Sequence, residues 1–146
     1  MSALFVIVAI LGLGLLMVIH EGGHYLVARY FGMRVTRFSI GFGPAIYKKT
    51  PKGSPTTYQI AIIPFLAYVQ IAGMNPFEET DPKDKGSYAN APLHARIATI
   101  FAGSLANYLA ASLLFFIAFT VGGKGQLTTV VEVVPEGAAA SASMQT

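Results

Sequence analysis

Near the start of the chain stands His20-Glu21-Gly22-Gly23-His24, which puts three ionisable side chains into five positions. On a helix, His20 and His24 are one turn apart and share a face, with Glu21 beside them. This is the H-E-x-x-H spacing of a zinc peptidase. Two neutral imidazoles supply metal ligands, and the adjacent carboxylate takes a proton from a water whose pKa the ion has lowered. The competing reading is a chance polar cluster. The setting argues against it, because the flanking sequence is apolar and titratable groups at bilayer depth are costly unless paired or bound to a metal.

The element that must carry the motif is a helix. Ala3 to Ile19 contains no charged residue, and the apolar helical pattern continues to about Phe31. At 1.5 Å per residue such a helix is about 43 Å long, enough to cross a bilayer core of about 30 Å and emerge. The motif then lies near the cytoplasmic end of the span. No basic segment precedes the apolar run and no small-x-small site precedes His20, so the segment reads as retained rather than cleaved. Gly22 and Gly23 lower helix propensity, either to leave room for substrate at the metal or to let another helix pack closely.

A second span follows at Ile97 to Val121, again without a charge, with Asn90 and Pro92 as start signals. It carries two rows of mostly small residues at four-residue spacing: Ala98, Ala102, Ala106, Ala110 and Thr99, Gly103, Asn107, Ala111. Such rows mark a face for close helix packing. Asn107 lies roughly 15 Å into the span, where an amide needs a partner. It could donate to the oxyanion of a tetrahedral intermediate, position substrate, or tie two helices together.

Between the spans the period changes. Phe38, Ile40 and Phe42 alternate with Arg37, Ser39 and Gly41 as in a strand, which Gly43-Pro44 breaks. Runs at Ala45–Lys49 and Thr56–Ile63 flank a turn-rich segment, which predicts a hairpin, and Pro64 makes the last strand an edge or a bent strand. A sheet this apolar is expected to dip into the membrane interface with its open edge buried in protein or facing a cavity. That edge could capture an extended substrate by strand addition, or the sheet could simply plug the cytoplasmic side. Residues 75–91 are polar and read as a flexible surface loop.

Composition agrees with a membrane protein: 53% of the 146 residues are hydrophobic and 12% charged. Cysteine is absent, so any zinc must be held by His and carboxylate. Nine of the ten basic residues lie between Arg29 and Arg96 against four acidic ones. By the positive-inside rule this middle segment is cytoplasmic and both chain ends are on the opposite side. The cations are scattered rather than striped, so nucleic acid is not an expected partner.

These residues resemble the site-2 protease family of intramembrane zinc metalloproteases, in particular the bacterial branch typified by the regulator of sigma-E protease. The resemblance rests on His20 to His24 with Ala28 and Gly32 behind them, on Phe38-Ser39-Ile40-Gly41-Phe42-Gly43-Pro44, and on Gly103-Ser104-Leu105-Ala106-Asn107. It implies that His20 and His24 are zinc ligands, that Glu21 is the general base, and that Asn107 has a substrate-positioning or oxyanion role. Zn2+ is then the cofactor, with no small-molecule cofactor. Ser104 stands where many members have proline.

The resemblance also implies a division of the chain. Residues 1–31 form the first transmembrane helix, 32–74 a membrane-associated β element that engages extended substrate, 75–91 a cytoplasmic loop and 92–121 the second transmembrane helix. Residues 122–146 form a linker and the start of an extracytoplasmic PDZ domain. The fold expected is membrane α-helical with a small β-hairpin or sheet. The setting is the bacterial inner membrane, and the partners are the lipid bilayer and single-pass transmembrane substrates of the anti-sigma-factor or remnant-signal-peptide type. The family's third zinc ligand is an aspartate on a later helix, expected beyond residue 146. Asp81 and Asp84 lie in a polar tract and are poor substitutes, and His94 reads as an interfacial histidine. The alternative to a protease is a truncated, non-catalytic homologue that binds membrane partners without cutting them.

Overall fold

The computed structural model describes residues 2–122, apart from the side chains of Ser2, Pro64 and Phe65. The expected linker and PDZ start lie outside the described residues except for Gly122. Element order is α1 (Ser2–Tyr30), β1 (Val35–Lys49), β2 (Thr57–Ile71) and α2 (Leu93–Val121).

Two helices are long and apolar enough to cross a membrane, Ala3–Tyr30 with mean hydropathy 2.7 and Leu93–Val121 with 1.8. Neither is buried among the described residues, since the most apolar window of α1 buries none of its residues and that of α2 buries 11%. Their apolar side chains face outward, where only an apolar solvent suits them.

α1 ends in a Schellman motif. The Met33 amide donates to the Ala28 carbonyl at 2.9 Å and the Gly32 amide to the Arg29 carbonyl at 3.1 Å. Gly32 supplies the left-handed residue this cap requires, at φ 77°. Ala28 and Met33 then join Val35, Ile71 and Ala95 in a small buried cluster, which fixes the turn from helix into sheet. α2 starts on Pro92, whose carbonyl accepts from the Arg96 amide at 3.1 Å. Asn90 serves differently from the start signal expected of it. Its side chain donates to the carbonyls of Asp81 and Asp84, at 2.8 and 3.0 Å, and holds the preceding loop together.

The sheet is one pairing of β1 with β2, and each strand is bent. Residues 37–40 pair antiparallel with 67–70, the numbers falling as they rise (Phe38↔Val69, Ile40↔Ala67). The same residues also face 57–60 with the numbers rising together (Phe38↔Tyr58, Ile40↔Ile60), and 47–49 lie across 58–60 (Tyr47↔Ile60, Lys49↔Tyr58). The segments therefore stand side by side in the order 67–71, 35–40, 57–61, 45–49. Gly43-Pro44, read from sequence as a break, appears as a bend inside a long strand rather than as a strand end, and Pro64 lies within the bent strand expected of it. Gly41 makes the first bend possible at φ 92°, and a Cβ there would lie 2.7 Å from the Ala61 carbonyl oxygen.

This arrangement sorts the sheet by polarity. Both bends, 41–46 and 61–66, are uncharged and lie at one end, exposing Phe42, Ile46, Ile62 and Leu66. Lys48, Lys49 and Lys52 lie at the other end, level with Arg37 and Thr57. An apolar tip with a cationic base is the form of an element that dips into a bilayer from its headgroup region.

The 75–91 segment is tied down rather than free. Arg34 donates to both carboxylate oxygens of Asp84, at 3.1 and 2.6 Å. The Arg34 amide donates to the Gly86 carbonyl at 2.8 Å, and the Tyr88 amide to the Ala72 carbonyl at 2.8 Å. Loop and sheet thus close on each other beneath α2.

Candidate metal centre

The H-E-x-x-H residues lie in the C-terminal third of α1, where it passes between α2 and the sheet. His20 and His24 turn their rings toward α2, and their Nε2 atoms stand 3.2 Å apart. A tetrahedral zinc ion with Zn–N distances of 2.0–2.1 Å holds two nitrogens about 3.3 Å apart. The pair is therefore already at ligand spacing.

The distal nitrogens are also placed. His24 Nδ1 lies 2.6 Å from the Thr99 carbonyl oxygen, which only accepts, so Nδ1 carries the proton and Nε2 presents its lone pair. His20 Nδ1 lies 3.5 Å from the side-chain amide of Asn107. Gly103 fills the space between. A Cβ there would stand 2.4 Å from His24 Nε2 and 2.7 Å from His20 Nε2, in the volume the two ligand atoms use. The row Thr99, Gly103, Asn107 on α2 is thus the wall of the site, as well as part of the helix-packing face its small residues predict.

Glu21 points the other way, to the sheet. Its Oε2 accepts from the Val69 amide at 3.0 Å. That amide faces away from β1, because segment 67–71 pairs on its other side with 35–40. Alternation gives Ala67 the same outward-facing backbone, while the Ile71 carbonyl already accepts from the Met74 amide at 3.2 Å, so the edge left open runs along residues 67–69 past the carboxylate. Ligand atoms of His20, Glu21 and His24 all lie within 4.8 Å of one another, and all three residues are half-buried. The donor set, its spacing and the space kept clear by Gly103 fit a zinc ion.

The two glycines of the motif separate into the two roles that sequence leaves open. Gly23 is a packing residue, since a Cβ there would lie 2.3 Å from the Ala102 carbonyl oxygen. Gly22 meets nothing within 4 Å and opens onto an apolar cavity of about 450 Å³ between α1 and the sheet, lined also by Tyr25, Leu26, Phe38 and Tyr58. Above this cavity Tyr25 and Tyr58 share a hydroxyl–hydroxyl bond of 2.6 Å, and Arg29 reaches Thr56 at 3.5 Å.

Sequence reasoning named His20, Glu21, His24 and Asn107, and the structure brings the four side chains to one centre. It missed Thr99, which acts through a backbone oxygen that no residue type announces, and the Val69 amide for the same reason. Gly103 stood in a small-residue row, but nothing in that row says which member faces a ligand. Asp84 pairs with Arg34, and the His94 ring packs edge-on against Phe31. Neither reaches the centre.

Comparison with known proteins agrees with the site. The model of peptidase family M50 matches residues 8–145. The chain is 36% identical over 135 residues to the regulator of sigma-E protease RseP of Salmonella typhimurium, covering 92% of this chain and 30% of that protein. It is similarly 36% identical to RseP of Escherichia coli over 92% of this chain and 30% of the relative, and 35% identical to protease RseP of Yersinia pestis over 99% and 32%. The chain thus spans about a third of the length of these relatives. With a family match over nearly all of its residues and an H-E-x-x-H pair at ligand spacing, the chain belongs to peptidase family M50.

Proposed function

We propose that this chain carries the metal-binding and proton-transfer half of an intramembrane zinc metalloendopeptidase acting in regulated intramembrane proteolysis. The observation that carries the reading is the convergence of the His20 and His24 Nε2 atoms at 3.2 Å beside a carboxylate anchored to an open sheet edge. His20 and His24 would hold the ion, with a third ligand expected from an aspartate outside these residues. Bound zinc supplies electrophilic activation of the scissile carbonyl and of the attacking water. Glu21 accepts the proton of that water and returns it to the leaving amine.

Substrate positioning falls to the sheet. An extended peptide pairing with the outward-facing backbone of Ala67 and Val69 would run past Glu21 and the two histidines. Peptide bonds are reached in extended chains, so a helical transmembrane substrate must unwind before it can lie there. The apolar cavity beside Gly22 suits one of its side chains. Single-pass membrane proteins, either anti-sigma factors or remnant signal peptides, are the substrates this reading expects. The setting is a bacterial inner membrane, with residues 32–91 cytoplasmic and both ends of the chain across the membrane, as the cationic base of the sheet supports. In the intact protein, Glu21→Gln is expected to keep zinc stoichiometry and abolish cleavage. Undiminished cleavage by that variant would refute the assignment.

A further inference from the structure

Asn107 can meet His20 in two ways, and the site's geometry says when each applies. His24 Nδ1 is committed to the Thr99 carbonyl, so His24 Nε2 is a lone pair. With no ion between the rings, His20 Nε2 must donate across the 3.2 Å gap, which leaves His20 Nδ1 as an acceptor for the Asn107 amide N–H at 3.5 Å. In that arrangement the Asn107 Oδ1 is buried and has no partner among the described residues. An ion between the rings reverses the requirement. Both Nε2 atoms must then offer lone pairs, His20 must carry its proton on Nδ1, and an N–H of Asn107 facing it would set donor against donor.

We infer that Asn107 is a positioning residue for His20, and that its side-chain amide turns over when the site is loaded, presenting Oδ1 to the His20 Nδ1–H. The turn satisfies the orphaned oxygen and fixes the ring in the tautomer that binds metal. It makes Asn107 the side-chain counterpart of the Thr99 carbonyl about two turns away on the same row, so that α2 holds both imidazoles by their distal nitrogens. An amide suits the role because it is donor and acceptor on a single rotor, where a carboxylate only accepts and a hydrocarbon does neither. This inference rests on the zinc-peptidase reading, and differs from an oxyanion or substrate-binding role in acting on the metal site before substrate arrives.

The test is zinc affinity of the intact protein in detergent micelles, measured by competition with a fluorescent chelator, for wild type, Asn107→Leu and Asn107→Asp. Loss of a distal partner weakens metal binding by about 10–100-fold, which is the result expected for Asn107→Leu. Asn107→Asp keeps the acceptor and is expected to bind zinc at least as tightly as wild type. Ring-¹⁵N shifts of His20 should report proton transfer from Nε2 to Nδ1 on loading. Leucine and aspartate variants with wild-type affinity but lost cleavage would overturn the inference and leave Asn107 acting on substrate. A wild-type protein that binds no zinc would instead refute the proposed function on which the inference stands.

Discussion

Gly103→Ala isolates the requirement that α2 leave room for the ligand atoms. A Cβ at this position would lie 2.4 Å from His24 Nε2 and 2.7 Å from both Cε1 and Nε2 of His20. Unstrained heavy-atom contacts sit at about 3.5 Å, so something must yield by about 1 Å. In the metal-free protein the rings can swing aside, because only side-chain torsions resist. In the loaded protein they cannot, because metal–ligand distances tolerate only about 0.2 Å of change. The overpacking cost of about 1–3 kcal/mol therefore falls on the loaded state, and converts to zinc binding weaker by about 5–150-fold. Thermal stability of the metal-free variant should stay close to wild type. Gly22→Ala is the control, since a Cβ there meets nothing within 4 Å and zinc affinity should not change. Chelator competition on both variants decides the matter. Wild-type affinity in Gly103→Ala would refute the claim that this row forms the wall of the site.

Other consequences are equally direct. Gly23→Ala drives a Cβ against the Ala102 backbone, which cannot rotate away, so α1 and α2 must separate; a stability loss of about 1–3 kcal/mol is expected in micelle unfolding measurements. Val69→Pro removes the amide that holds Glu21 while sparing the ladder to β1, because that N–H faces outward. Cleavage of an extended substrate should fall about tenfold, the worth of the one backbone hydrogen bond that a substrate strand would lose at residue 69, with zinc content unchanged. The Arg34 guanidinium, helped by the Gly86 amide, holds the Asp84 carboxyl below its ordinary value. A depressed carboxylate contributes fully above its ordinary pKa and loses that contribution only as pH falls through the lowered value. Hydrogen-exchange protection of the Arg34 amide should therefore be constant from pH 7 to about pH 5 and fail only in stronger acid, whereas Asp84→Asn should lose it throughout.

Much of this fold was legible because each signal is local. Two uncharged runs of sufficient length make two helices long and apolar enough to cross a membrane, and Gly32 ends the first because the Schellman cap needs a left-handed residue. The alternation at Phe38 to Phe42 announced strand. What could not be read was long-range: that residues 37–40 would pair on both sides, or that Gly43-Pro44 would bend one long strand instead of ending it. Pro64 lies between the paired segments 57–61 and 67–71, and a residue at a bend costs the ladder nothing. The polar 75–91 tract read as flexible because composition records water-loving side chains and is silent about backbone partners. Its amides and carbonyls close on Arg34 and Ala72.

The site divides the same way, and the geometry of one helix explains why. Successive residues turn by about 100°, so His20 and His24 lie within about 40° of each other while Glu21 points a quarter-turn away. α1 therefore shows its ligands to α2 and its base to the sheet. On the proposed function, Thr99, Gly103 and Asn107 would govern the metal, and the edge that would hold the substrate would govern the proton. A substrate strand arriving at Val69 would compete for the amide that anchors Glu21 and release the carboxylate beside the metal. Strand capture and activation of the base would then be one event, and a peptide too short or too helical to pair with the edge would leave Glu21 tethered.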